Sequence, residues 1–199
     1  MRIGIFGGTF DPPHFGHLLL AEESARQLRL DRLLWVLTAD PPHKQNTPVS
    51  TLHHRLAMTR LALKKQPRFE LSRIEMDRPG PHFALDTVML LATEFPKDEL
   101  VYLMGGDSLG ELPTWHRPSD LVRACHEIGV MRRPGDCLDL PALEAVLPGL
   151  TTKVRFVNIP PVQISSSEIR QRIAQGKPYR KFLPPAVYRY IRIHRLYQA

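Results

Sequence analysis

Five short apolar runs set the frame of this chain: Ile3 to Phe6, Arg32 to Leu37, Leu100 to Met104, Ile128 to Met131 and Val154 to Ile159. Runs of that length, separated by helical periods, read as strands buried on both faces. Phe69 to Met76 adds an extended, alternating stretch, and Pro79-Gly80-Pro81 then breaks the chain. The helical periods lie between the runs. One opens at Leu18. One spans about 51 to 65, with Leu52, Leu56, Thr59 and Leu63 along a face. A third carries the stripe Leu85, Val88, Met89 and Ala92. Ser119 to Cys125 is a short helix, and one more is expected near Ala142 to Val146 in the least informative segment, 136–152. Ser166 to Gln175 opens on capping serines and stops at Gly176, and Pro184-Pro185 leads a last helix to about His194. Strands alternating with helices imply an α/β fold. Without a composition shift, repeat or linker, the expectation is a single domain over residues 1–199, a Rossmann-like parallel sheet with helices on both faces.

Such sheets bind ligands beyond the carboxyl ends of their strands, at the switch point. Gly7 to His17, Thr38 to Lys44, Gly105 to Asp107, and Arg133 with its neighbours all follow expected strands. They should therefore gather on one edge and form one site.

The first of these turns is the most informative. Gly7-Gly8-Thr9-Phe10-Asp11-Pro12-Pro13-His14-Phe15-Gly16-His17 joins a strand to a helix through glycines. Glycines let backbone approach an anion, and the unpaired N–H groups of a helix start face it with the positive end of the dipole behind them. His14 and His17 are three apart, so both rings can face one ligand and donate to phosphate oxygens. Neither GxxxxGK[ST] nor G-x-G-x-x-G is present. Other roles remain open for these residues: a plain tight turn, histidines that cap the helix or sit in the core, or a metal site with Asp11 that lacks an obvious further ligand.

The other turns carry compatible chemistry. Lys44, in Pro41-Pro42-His43-Lys44, is either a point charge for a phosphate or an exposed loop lysine. Asp107, in Gly105-Gly106-Asp107-Ser108, can accept from ribose hydroxyls or cap a helix. Trp115, in Pro113-Thr114-Trp115-His116, offers a ring for stacking on a heterocycle or a core side chain, whereas Trp35 is core. Ile164-Ser165-Ser166-Ser167-Glu168-Ile169-Arg170 sets hydroxyls and free N–H groups at a helix start with an arginine one turn on. That is a second anion site or a plain capped helix.

Composition narrows the class. The 199 residues are 43% hydrophobic and 24% charged, as in ordinary globular domains. No apolar run approaches the roughly 20 residues of a membrane span, so no membrane partner is expected. The opening Met-Arg-Ile-Gly-Ile-Phe-Gly-Gly is already a strand and turn, so no signal peptide is expected. Cys125 and Cys137 have no CxxC spacing and do not make a disulfide framework, which points to a cytoplasmic setting. The formal charge of +7 suits anionic ligands, and much of it lies in the last helices. A homo-oligomer is compatible with all of this.

Gly8 to His17 resembles the GxFDPxHxGH signature of the HxGH nucleotidyltransferases without a gap. These transfer an adenylyl or cytidylyl group from a nucleotide triphosphate to a phosphate. The Ile164 to Arg170 segment is similar to their ISSTxIR motif, with Ser167 in place of threonine. PPHK, the G-x-D turn, P-x-W and R-P-G together look like those of bacterial nicotinate-nucleotide adenylyltransferases, over residue 3 to about residue 197. Three departures stand out: His82-Phe83-Ala84 replaces Ser-Tyr-Thr, Gly106 replaces alanine, and His116 replaces an aromatic or lysine.

The resemblance implies an HxGH nucleotidyltransferase fold and adenylyl transfer from ATP to nicotinate mononucleotide, with Mg2+ accompanying ATP and no metal held by side chains. It implies that His14 and His17 are catalytic. Gly7, Gly8, Thr9, Phe10, Gly105, Asp107, Ile164, Ser166, Ser167 and Arg170 would serve ATP. Lys44, Ala84, Trp115, His116 and Arg133 would serve the mononucleotide. Alternatives are an adenylyltransferase for nicotinamide mononucleotide or another small phosphate, and an RNA-binding protein, since the signature is also related to the HIGH motif of class I aminoacyl-tRNA synthetases. Against RNA stand the absence of a KMSKS-like stretch, an anticodon-type domain and an exposed aromatic array. No nucleic-acid partner is therefore expected.

Overall fold

A computed structural model describes residues 1–39, 49–132, 138–160 and 164–198. Its elements in chain order are β1 (Arg2–Gly8), α1 (Phe15–Gln27), β2 (Arg32–Leu37), α2 (Leu52–Leu63), β3 (Phe69–Ser72), α3 (Ala84–Glu94), β4 (Glu99–Gly105), α4 (Gly106–Glu111), α5 (Pro118–Ala124), β5 (Glu127–Arg132), α6 (Leu140–Val146), α7 (Leu150–Lys153), β6 (Val154–Asn158), α8 (Ser166–Ala174) and α9 (Pro185–Ile193). Short 3-10 turns occupy Leu112–Thr114 and Arg180–Phe182.

The six strands form one sheet in the order β3-β2-β1-β4-β5-β6, and every pairing is parallel. The chain winds outward from β1 to β3, then restarts beside β1 with β4. That makes the β1–β4 junction the switch point. Gly8 pairs with Leu37 and Gly105 with Met131, so the carboxyl ends of β1, β2, β4 and β5 lie level along one edge. The opposite edge is laced by ion pairs: Met1 to Asp98, Arg2 to Glu99 and Glu127, and Arg32 to Glu70. Solvent-accessible pairs at such an edge contribute about 1 kcal/mol each, so the fold rests on its apolar layers.

Strand alternation divides those layers cleanly. Ile3, Ile5, Leu34, Val36, Leu100 and Met104 face α3, α4 and α5. Phe6, Leu33, Trp35, Leu37, Val101 and Leu103 face α1 and the end of α2. A satellite cluster joins Met58 and Ala62 of α2 to Ile169 and Ile173 of α8 and Val187 and Ile191 of α9. Among the described residues no helix is long and apolar enough to cross a membrane.

Several local expectations change. The expected strand at Phe69 to Met76 stops at Ser72, because the Arg73 carbonyl accepts the N–H groups of Met76 and Asp77 and turns the chain. The α3 stripe runs through Leu85, Val88 and Leu91, leaving Met89 54% exposed. The Gly105 to Ser108 turn is itself the start of α4, and α7 was not expected at all. On α2 the buried face is Arg55, Met58, Thr59, Ala62 and Leu63, so the expected stripe is shifted around the helix.

Candidate active site

The glycine turn and the two histidines form one rigid unit at the switch point. Gly8 is required by close approach: a Cβ there would lie 2.8 Å from the Phe10 ring. Phe10 takes the left-handed conformation at φ 48° and turns its ring into the core against Trp35, at 4.7 Å between centroids. A non-glycine residue in that region is uncommon and needs such packing to hold it. The Asp11–Pro12 peptide that follows is cis.

α1 starts at Phe15, earlier than the expected opening at Leu18, because His14 is its N-cap. Nδ1 of His14 accepts the His17 backbone N–H at 3.3 Å, and Nδ1 of His17 accepts the His14 backbone N–H at 3.2 Å. This is a reciprocal capping box built from two imidazoles. A ring nitrogen that accepts carries no proton, so each neutral ring is the Nε2–H tautomer. The rings stack at 3.7 Å, and His14 is only 4% exposed. Burial pushes the His14 pKa down from 6.5 to about 4. Capping and phosphate recognition are thus compatible: Nδ1 caps, and Nε2 is the donor edge. The metal reading of Asp11 meets a different geometry, since its carboxylate accepts the Ser50 N–H and the Tyr197 hydroxyl.

The start of α8 docks on the glycine turn. Ser165 caps α8. Ser166 Oγ donates to the Pro12 carbonyl at 2.9 Å, and Arg170 Nη1 donates to the Asp11 carbonyl at 2.7 Å. Arg170 Nη2 also donates to Ser167 Oγ at 3.3 Å. Ile164 lies half-buried beside the α8–α9 cluster. One switch-point turn away, Asp107 folds back to accept the Ser108 N–H, and its carboxylate occupies the space a Gly105 Cβ would need. Gly105 is the N-cap of α4 and no side chain caps it, so Asp107 does not take the N-cap role considered for it and lies inside the first turn.

The described residues expected to serve the mononucleotide sit at α3 and the 3-10 turn after α4. Ala84 is the first residue of α3, whose N-cap Phe83 provides no side-chain cap. His116 stacks on Phe83 at 4.1 Å and 18°. Trp115 is half-buried and meets Tyr102 edge-on at 6.3 Å. The Tyr102 hydroxyl in turn lies 3.8 Å from the Cβ position of Gly7, linking the cradle to the tryptophan. Beneath α3, Thr87 Oγ donates to buried Glu75 at 2.7 Å, and burial raises the Glu75 carboxyl above its usual range. Lys44 and Arg133 lie outside the described residues.

Four residues of this site escaped the motif reading in their present roles: Tyr102, Asp11, Tyr197 and Arg55. Arg55 is 2% exposed and donates to the carbonyls of Thr9, Thr38, Ala39 and Ser50. It ties the cradle to the ends of the chain on either side of residues 40–48. The signal was present, since positions 55, 58, 59 and 62 form an i, i+3, i+4, i+7 stripe with an arginine on it.

Residues 5–172 match the cytidylyltransferase-like family. The chain is 44% identical over 197 residues to the probable nicotinate-nucleotide adenylyltransferase of Thermomicrobium roseum, spanning 99% of this chain and 92% of that protein. It is 38% identical over 198 residues to the nicotinate-nucleotide adenylyltransferase of Bacillus subtilis, spanning 100% and 99%. The solved structure of Plasmodium falciparum nicotinic acid mononucleotide adenylyltransferase complexed with NaAD shares the fold, with a TM-score of 0.81 at 20% identity over 98% of this chain and 97% of that one. By motif, sheet order and identity along its length, the chain belongs to the cytidylyltransferase-like family and to the nicotinate-nucleotide adenylyltransferases within it.

Proposed function

We infer that the protein joins ATP to nicotinate mononucleotide, giving nicotinate adenine dinucleotide and pyrophosphate, a step of NAD biosynthesis. The observation that carries the mechanism is the reciprocal histidine cap, which fixes two stacked imidazoles as Nε2–H donors at a glycine turn. The attacking group is a phosphate oxygen of the mononucleotide, already ionised at neutral pH, so no general base is needed. It forms a bond to the α-phosphorus of ATP as the bond to the β-phosphate oxygen breaks. Catalysis is then positioning plus stabilisation of charge on the α-phosphate and the departing pyrophosphate.

The roles proposed are those that the family resemblance implies for these residues. His14 and His17 donate to the oxygens on which charge develops. The backbone from Gly7 to Phe10 cradles the phosphates. Ser166, Ser167 and Arg170 receive the triphosphate tail, and Asp107 receives the adenosine ribose. Trp115 stacks on the pyridine ring, and Lys44 meets the mononucleotide phosphate. Mg2+ travels with ATP, and when bound it neutralises triphosphate charge. The cradle presents imidazoles, hydroxyls and backbone donors while Asp11 is turned away, so phosphates and water would be its ligands. The proposed setting is the cytoplasm.

The start of α3 gives the ring pocket its selectivity. Ala84 lacks the hydroxyl of threonine, but the N–H groups of a helix start favour a carboxylate whatever the side chain. A carboxamide would face donors with its own donor, an unpaired arrangement worth about 1–3 kcal/mol, or roughly five- to 150-fold. The test is pyrophosphate release with each pyridine mononucleotide at saturating ATP. A higher kcat/KM for the nicotinate form is expected. Equal values, or a preference for the amide, would refute the acid-selective pocket, and no pyrophosphate with either would refute the reaction.

A further inference from the structure

Asp11 is held from more directions than its place in a surface turn requires, and the proposed chemistry uses none of these contacts. The residue is 2% exposed. Its Oδ1 accepts the Tyr197 hydroxyl at 2.6 Å, and its Oδ2 accepts the Ser50 N–H at 3.1 Å. Its carbonyl accepts Arg170, and the next carbonyl, that of Pro12, accepts Ser166. Donors from the entry to α2, from α8 and from the chain's end therefore converge on two successive residues of the cradle. The Tyr197 contact spans 186 positions of sequence. Tyr197 itself sits at φ 63°, a left-handed backbone held by its surroundings, with its hydroxyl 3.9 Å from Met58 Sδ. Burial and the adjoining Asp11 raise its phenol well above the ordinary range, so it is a donor at every working pH.

We propose that Tyr197 is a positioning residue for adenylyl transfer: through Asp11 it fixes the cradle backbone on which Arg170 is braced and from which His14 follows. A buried carboxylate that loses one of two donors is left under-satisfied, and the turn that holds it must shift to restore a partner. The Asp11 carbonyl is the seat of Arg170, so the disturbance reaches the triphosphate side first. Among the described residues Asp11 accepts hydrogen bonds from Ser50, Arg170 and Tyr197 and not from α3. The inference rests on the nucleotide reading of the cradle.

The test compares wild type with Tyr197→Phe, which keeps the ring and removes only the hydroxyl, in steady-state kinetics with ATP and mononucleotide varied separately. Asp11→Asn is the second variant, reaching the same contact from the other side. The ATP KM is expected to rise roughly tenfold in both, the scale of one lost charge-assisted hydrogen bond, with the mononucleotide KM within about twofold of wild type. A tyrosine that only anchors the chain's end would lower the melting temperature and leave both KM values in place, and that result overturns the proposal. So does a rise confined to the mononucleotide KM. A wild-type protein that releases no pyrophosphate overturns the function instead, which separates the two failures.

Discussion

Lowering the pH should destabilise the protein through His14 specifically. The residue is 4% exposed, and burial holds its pKa at about 4 against 6.5 in a free chain. Between those values the unfolded chain takes up a proton that the folded protein refuses. His14 therefore contributes nothing to pH dependence above pH 6.5, and stability is lost as the pH falls from there toward 4. With these two pKa values, the loss between pH 7.5 and pH 5 is about 2 kcal/mol. His14→Asn supplies the control, because asparagine caps a helix well and does not titrate. Urea unfolding of both proteins at each pH gives the difference. Glu75, whose raised pKa acts in the opposite direction, is common to both and drops out. The advantage of wild type over His14→Asn should shrink by about 2 kcal/mol across that range. A constant difference would refute the neutral, buried imidazole and with it the assignment of the Nε2–H tautomer.

Three further outcomes are expected. His17→Ala should lower kcat about a hundredfold or more, the scale of losing a preorganised donor; near-normal turnover would remove His17 from the chemistry. Arg170→Ala should raise the ATP KM by the equivalent of roughly 1.5–3 kcal/mol with little change for the mononucleotide, as read by steady-state kinetics. Arg55→Met keeps the stem but strips four carbonyls of a donor, and chemical denaturation should show a loss of about 3 kcal/mol or more, with under about 1 kcal/mol arguing against the clamp.

Periodic and local features were legible in the sequence, and contacts between distant segments were not. The apolar runs and their intervening helices yield the parallel sheet, and the turns after β1 and β4 fall on one edge as their positions require. His14 and His17 were readable as neighbours, and the helix-capping role and the phosphate role looked like rivals. The geometry shows that capping takes only the Nδ1 edge of each ring, so the two roles need not compete. Arg55 was hidden because a charge on an apolar stripe reads as a solvated position until its four carbonyl partners are in place. Met89 sits one position around α3 from the residues that face the sheet, a rotation that periodicity in an almost wholly apolar segment does not resolve. The turn at Arg73 is decided by its own carbonyl and by its pairing with Asp77, against a strand pattern that looked long enough to continue. The meeting of Tyr197 with Asp11 has no local signature at all.

The central claim is that both histidines act as donors and neither attacks phosphorus, since each Nδ1 is engaged in the cap and each Nε2 carries the proton. A direct displacement by the mononucleotide then inverts the α-phosphorus once, whereas a covalent adenylyl-histidine would invert it twice. Turnover of an ATP analogue made chiral at the α-phosphorus by sulfur substitution, with the configuration of the product dinucleotide read by phosphorus NMR, distinguishes them. Inversion is the result this mechanism predicts, and retention would contradict it.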